Sequence, residues 1–506
     1  MTQACRLTLA HNADLDLKSF LRVATGPVHV DIEVETLRRL DASFAAARES
    51  AKGKPIYGVS TGLGPMLESF LDEESSRDLQ YNLLRSHAAG LGAPLSAELS
   101  RAAMLARLQS LLRNRSAVRG ELASHLAALL NADIAPYMPR KGGVGASGDL
   151  VQLAHLGLLV IGEGPCWFCG VKTRTREALD ATGLSPLLLQ FRDGLALVNG
   201  LSASVAMAAF VCADARVLFD LALALSCLIA EVLDANPQAY AERLHASKRH
   251  RSQHEVAGWM RAHLADARFG DALRAGLRLQ APYSVRCAPQ ILGPMFEALS
   301  LADRTTQDEL NSASDNPIFD PATGEALHGG NFHGEALSFS MDALKIAIVK
   351  CSLLMERQLD LLLNDAANRT LPPFVNLGRV GVDLGLQGAQ FTATSTAAEN
   401  QTLGFPMSLH SISCNKGNQD VVSMSSKAAW LTMATIDNAF DIAAILTVAL
   451  SQSVEATGAY DRLSSSSREI ISRVRNMAPV FHGDVYLAER LFGLGKALRK
   501  GLASTP

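Results

Sequence analysis

Apolar residues gather in three long runs along the chain. Ala203 to Leu233 is dense in Ala, Leu, Val and Met, and neither Pro nor Gly interrupts it. Kept helical, it spans roughly 30 residues, or ~45 Å. Glu335 to Arg357 reads EALSFSMDALKIAIVKCSLLMER, apolar on nearly every face, and Ser423 to Ala456 closes the set. Helices apolar all round are buried, inside a bundle or against other subunits. β-Hairpin signals are few. The pattern predicts a mainly α protein, a long-helix bundle with a loop-rich N-terminal region.

Pro, Gly and Asn mark the joints. Lys52 to Pro65 and Ala135 to Gly148 are predicted glycine-rich loops, and Asn236-Pro237, Pro282, Asn316-Pro317 and Pro372-Pro373 punctuate the later chain. With no fixed-period repeat, the division expected is 1–200, 201–457 and a more polar layer at 458–506, forming one cooperative unit.

Composition narrows the function. Of 506 residues 48% are hydrophobic, too many for a disordered chain. Lys and Arg total 47 against 50 Asp and Glu, without the basic excess of a nucleic-acid binder. The N-terminus has no signal-peptide run, and Asp220 and Glu231 interrupt the apolar stretch Val217 to Leu233, so no membrane span is expected. Eight scattered cysteines suit a reduced, cytoplasmic protein. Cys166 and Cys169 have the spacing of a redox or zinc pair but no second pair nearby. His250 and His254 lie four apart in a basic stretch and read as solvated surface. Asp315-Asn316-Pro317 reads as a turn, and Glu356-Arg357 as helix surface or interface. No metal site is expected.

The segment Gly142-Gly143-Val144-Gly145-Ala146-Ser147-Gly148-Asp149-Leu150 is the most unusual. Gly143, Gly145 and Gly148 satisfy the dinucleotide pattern G-x-G-x-x-G, which needs a preceding central strand. Pro136 to Lys141 cannot supply one, so no nucleotide cofactor is expected. A nucleophile elbow fails because Asp149 replaces the last glycine. What remains is a small-residue loop before an apolar helix from Leu150, with Asp149 placed to cap it.

That segment resembles the signature of the histidine, phenylalanine and tyrosine ammonia-lyase family. Tyr57-Gly58-Val59-Ser60-Thr61-Gly62-Leu63-Gly64 is similar to the family's tyrosine loop, and Leu197-Val198-Asn199-Gly200 to its asparagine motif. Tyr283 to Gln290, Gly329 to Gly334 and Asn418 to Ser423 match three more, in the family's order. The resemblance implies a histidine ammonia-lyase-like helical bundle and a homotetramer whose sites combine three subunits. It also implies that Ala146, Ser147 and Gly148 cyclise, with loss of two waters, to 4-methylidene-imidazole-5-one (MIO). Elimination of ammonia then needs an electrophile for the amine and a base for the β-proton. By resemblance Tyr57 is the base, Arg286 grips the substrate carboxylate, and Asn199 and Tyr283 assist. Gly64 lets the tyrosine loop fold tightly, and Phe332 packs near the prosthetic group. A noncatalytic homologue is disfavoured by intact Tyr57, Ala146-Ser147-Gly148 and Arg286.

The residues implied to read the substrate ring disagree. Ser86-His87 is the histidine-type pair, whereas Asn418-Gln419-Asp420, with Asn415 before it, follows the tyrosine and phenylalanine type. Gln419 offers a neutral partner where histidine lyases carry a glutamate, whose charge-assisted bond is roughly twice as strong. The expectation is a lyase acting on tyrosine or phenylalanine, with histidine the runner-up and an MIO-dependent aminomutase the third reading.

Overall fold

The computed structural model describes residues 5–270 and 280–502. The three apolar runs are helices, at Ser202–Val232, Glu335–Leu363 and Ser425–Thr457. Among the described residues, Ser425–Thr457 is the helix long and apolar enough to cross a membrane, and most of it is buried.

Two compact units share the chain, each built from three stretches. The first comprises Met1–Phe210, Ala302–Met341 and Pro406–Trp430. Its centre is Ala97–Leu112, capped by Ser96, whose hydroxyl accepts from the Leu99 amide. This helix is buried along almost its whole length. The stretch expected to be a bare loop, Ala135 to Gly148, contains two short strands. Ile134–Pro136 pairs antiparallel with Pro165–Phe168, and Pro139–Lys141 pairs antiparallel with Leu91–Pro94. Neither belongs to a parallel sheet before the glycines, in keeping with the exclusion of a dinucleotide fold.

Asp315 is more than a turn residue. It is fully buried and takes a two-point contact from Arg192, at 2.7 and 2.8 Å, with Arg107 at 3.6 Å. Arg107 Nη1 also donates to the carbonyls of Asn199 (3.1 Å) and Ser314 (2.9 Å). Two guanidinium groups share one carboxylate out of water, and carbonyls take up part of their remaining donors, while Arg107 Nε and Nη2 and Arg192 Nε have no hydrogen-bond partner among the described residues.

The second unit comprises Val211–Leu301, Asp342–Phe405 and Leu431–Pro506. Phe219, Trp259 and Phe296 form a ring cluster with centroids 4.9 to 5.9 Å apart. Glu231, the charge inside an apolar run, is buried and accepts from the Ser464 amide and the Ser467 hydroxyl. Glu356 is likewise buried, paired with exposed Arg357 and accepting from Thr394 Oγ1 at 3.1 Å, so only the arginine is surface. His250 precedes the helix Arg251–His263, and His254 Nε2 donates to the Lys248 carbonyl. Cys166 and Cys169 are free thiols.

Removing the shared anion should be costly. Asp315→Ala leaves two buried guanidinium groups without counter-charge, and we expect a loss of about 3–5 kcal/mol in folding stability. Urea unfolding of the variant checks this; an unchanged midpoint would mean the arginines do not depend on Asp315.

Candidate active site

The helix Glu73–His87 organises one wall of the site. Asp72 caps it by accepting from the Ser75 amide, Glu73 and Glu74 fill its first turn, and Arg85 and His87 its last. The two glutamates and Arg85 so placed complement the helix dipole. Leu79, Asn82, Leu83, Ser86 and His87 follow helical spacing and face a cavity of about 270 Å³. His87 Nδ1 lies 3.0 Å from the Leu83 carbonyl. A carbonyl only accepts, so Nδ1 carries the proton and neutral His87 keeps an acceptor lone pair on Nε2. Burial holds its pKa below the ordinary histidine value, against the opposing effect of that carbonyl.

The tyrosine loop forms the facing wall. The Gly64 amide donates to Tyr57 Oη at 3.0 Å, and the Tyr57 amide donates to His328 Nε2 at 3.3 Å. Burial raises the Tyr57 pKa, while the Gly64 amide pulls it down. Gly64 has φ +55°, and a Cβ there would lie 2.8 Å from Asn415 Nδ2. The loop therefore closes against Asn415 only because residue 64 has no side chain.

Of the tripeptide, Ser147 lines the cavity. Ala146 and Gly148 are buried and Ser147 is half-buried. Gly148 has φ +72°, and a Cβ would fall 2.1 Å from the Gly200 carbonyl oxygen. That carbonyl accepts from the Asp149 amide at 2.7 Å. Ser423 and Ser426 donate their hydroxyls to the carbonyls of Gly145 and Gly143, and the Gly334 amide also donates to Gly145. Gln419 Nε2 donates to Ser147 Oγ at 2.8 Å, while its Oε1 accepts from Cys414 Sγ at 3.3 Å. Asn199 is buried beside them, its Oδ1 without a hydrogen-bond partner among the described residues.

Of the residues singled out from sequence, Tyr57, Gly64, Ser86, His87, Ser147, Asn199, Asn415 and Gln419 line this one cavity. Tyr283, Arg286 and Phe332 are not among its lining residues. In the second unit, Tyr283 is 69% exposed, with the Arg286 guanidinium over its ring at 4.5 Å. Arg286 Nε donates to the Ala281 carbonyl at 2.9 Å.

Comparison with known proteins agrees with this geometry. The profile of the family described as Aromatic amino acid lyase matches residues 15–476. The chain belongs to that family. It is 36% identical to the tyrosine ammonia-lyase of Cupriavidus metallidurans, over 97% of both chains. It is 37% identical to the tyrosine 2,3-aminomutase of Myxococcus fulvus, over 91% of both. The crystal structure of the tyrosine aminomutase from Streptomyces globisporus superimposes with a TM-score of 0.93 at 32% identity, covering 99% of this chain and 97% of that one. This is a lyase of the carbon–nitrogen type with the histidine ammonia-lyase fold.

One local expectation is corrected in this lyase. Asp149 precedes the helix Leu150–Val160 but makes no side-chain cap. Its carboxylate instead accepts from the amide and hydroxyl of Ser204, both at 2.7 Å. The cap is lost because full burial makes the stronger demand, and Ser204 satisfies two lone pairs at once. Leu79, Asn82, Leu83, Leu150 and Leu195 are cavity residues that motif reading misses. Only the 79-82-83-86-87 spacing signals three of them, as the inward stripe of a helix.

Burial raises the Asp149 pKa to about 6, and the Ser204 hydrogen bonds oppose it. A carboxyl raised on folding stabilises the protein below its ordinary pKa, and that stability is lost as pH rises through about 6. The displacement corresponds to about 3 kcal/mol. Asp149→Asn should therefore flatten the decline in stability between about pH 4 and 6, measured by denaturant unfolding across pH. An identical decline in the variant would assign it to other groups.

Proposed function

We propose that this lyase eliminates ammonia from L-tyrosine or L-phenylalanine, giving p-coumarate or cinnamate. The observation that carries the reading is the one cavity lined together by Tyr57, His87, Ser147, Asn199 and Gln419. Gly148 meets the backbone requirement for a prosthetic group made from the tripeptide, since its φ and its approach to Gly200 exclude any side chain. The unpartnered Asn199 Oδ1 and the amide of Gln419 are the polar groups left to hold it. MIO, built from Ala146-Ser147-Gly148, would supply an electrophilic carbon for the substrate amine.

The chain's own residues account for the remaining tasks. Tyr57 takes the β-proton, and the Gly64 amide donated to its hydroxyl stabilises the phenolate form. Leu79, Leu83, Leu150 and Leu195 pack the aromatic ring and keep water from it. None of the lining residues carries a fixed charge. A substrate carboxylate buried there needs a cation, which Arg286 is suited to provide as a two-point partner. We therefore place Tyr283, Arg286 and Phe332 in sites shared between copies of a homotetramer. Exposed Phe339 and Phe391, on the helices Glu335–Leu363 and Gln387–Leu403, support burial against further copies. The free thiols of Cys166, Cys169, Cys212, Cys227, Cys287, Cys351 and Cys414 support a cytoplasmic setting.

The acceptor on His87 Nε2 supports tyrosine, whose phenol can donate to it. The Ser86-His87 pair keeps histidine as the second reading, and a 2,3-aminomutase, the name borne by one relative, as the third. Intact mass should show loss of two waters, and Ser147→Ala should abolish both that loss and nearly all turnover. A fully active Ser147→Ala enzyme removes MIO from the account.

Substrate choice is tested by kcat/KM on tyrosine, phenylalanine and histidine, with product analysis for β-amino acids. His87→Leu should shift preference from tyrosine toward phenylalanine by about 5- to 150-fold, the cost of an unpaired buried hydroxyl. Collapse of histidine turnover in His87→Leu, with histidine gained in Gln419→Glu, would instead favour the histidine reading.

A further inference from the structure

Gln80 is a buried amide with no role in the account so far. It lies on the helix Glu73–His87, 1% exposed, and both ends of its side chain are used. Nε2 donates to the Gly58 carbonyl at 3.0 Å, and Oε1 accepts from the Leu195 amide at 3.0 Å. Gly58 is the residue after Tyr57, and Leu195 stands four before Asn199, at whose position the helix Asp193–Val198 ends. One turn before Gln80, Ser76 donates its hydroxyl to the Val59 carbonyl. The two helices are also close at the backbone, since a Cβ on Gly194 would lie 2.6 Å from the Gln80 carbonyl oxygen.

These contacts differ from those that Tyr57 makes itself. The Gly64 bond to its hydroxyl stays within the loop and cannot locate that loop relative to the tripeptide. His328, which accepts from the Tyr57 amide, is an exposed residue. Gln80 is the tether from the buried side. A leucine or methionine would fill the same space without the cost of burying an amide, so the side chain matters for its paired donor and acceptor. Accepting the reading of Tyr57 as the base, we propose that Gln80 is a positioning residue that fixes Tyr57 relative to Asn199 and Ser147.

Two substitutions test this. Gln80→Met keeps the length and removes both hydrogen bonds. Gln80→Glu keeps both only while protonated, when its O–H donates to the Gly58 carbonyl and its other oxygen accepts from Leu195. Misplacement of a reacting group by about 1 Å costs about 100-fold. Gln80→Met should therefore lower kcat by about that factor, with KM changing less. The kcat of Gln80→Glu relative to wild type should fall as pH rises through the pKa of the new carboxyl. In a Tyr57→Phe background, Gln80→Met should cause little further loss, because the two act through one group.

A folded Gln80→Met enzyme with unimpaired kcat, or an equal loss in both backgrounds, overturns the proposal. Should Gln80→Met fail to fold, the pH series on Gln80→Glu decides alone, and a pH-independent ratio to wild type overturns it. Unimpaired kcat in Tyr57→Phe is a separate outcome: it removes the base assignment itself, and this inference with it.

Discussion

The peptide at Gly148 lies so close to the Gly200 carbonyl that no side-chain atom fits between them. Much of the site follows from that approach. It orients the Asp149 amide toward Gly200 and turns the Asp149 carboxylate to Ser204. From behind, Arg107 holds the carbonyl of Asn199, Asp315 pairs with Arg107, and Arg192 holds Asp315 in turn. An ion network in a dry interior is an expensive way to fix two carbonyls. Its advantage is geometric, because a guanidinium locked on a carboxylate has little freedom left.

The cavity is electrostatically quiet. His87 is neutral, the Tyr57 phenol is pushed upward by burial, and the rest of the lining is apolar, amide or hydroxyl. Walls of this kind recognise a ring by shape and one acceptor. The fixed charge for a zwitterionic substrate must come from outside the lining. An amino acid without its carboxylate would then lose most of the interaction that orients it, however well its ring fitted.

Sequence reading recovers this site unevenly, for physical reasons. The three long helices are legible because an all-round apolar run of that length has few other folded outcomes. Tyr57, Ser147, Asn199 and Gln419 are legible because small-residue loops and polar motifs are rare punctuation in a helical chain. Asp315 is not: an Asp-Asn-Pro triplet has the local chemistry of a turn, and nothing local reports two arginines more than a hundred residues away. Asp149 misleads in the opposite sense, since it sits where a cap belongs while its hydrogen bonds come from Ser204. Gln80 is silent for a related reason, because its position on the helix is visible but its two backbone partners are not.

The first compact unit closes late. Its opening stretch ends at Phe210, while its final stretch ends at Trp430, and Asn415 and Gln419 lie in that last piece. At about 5–20 residues per second, the intervening 220 residues, from 210 to 430, take roughly 10 to 45 s to synthesise. Through that interval the nascent N-terminal part carries apolar surface whose partners do not yet exist. On the ribosome, the cavity lined by Asn415 and Gln419 can therefore be completed only after most of the chain has been made.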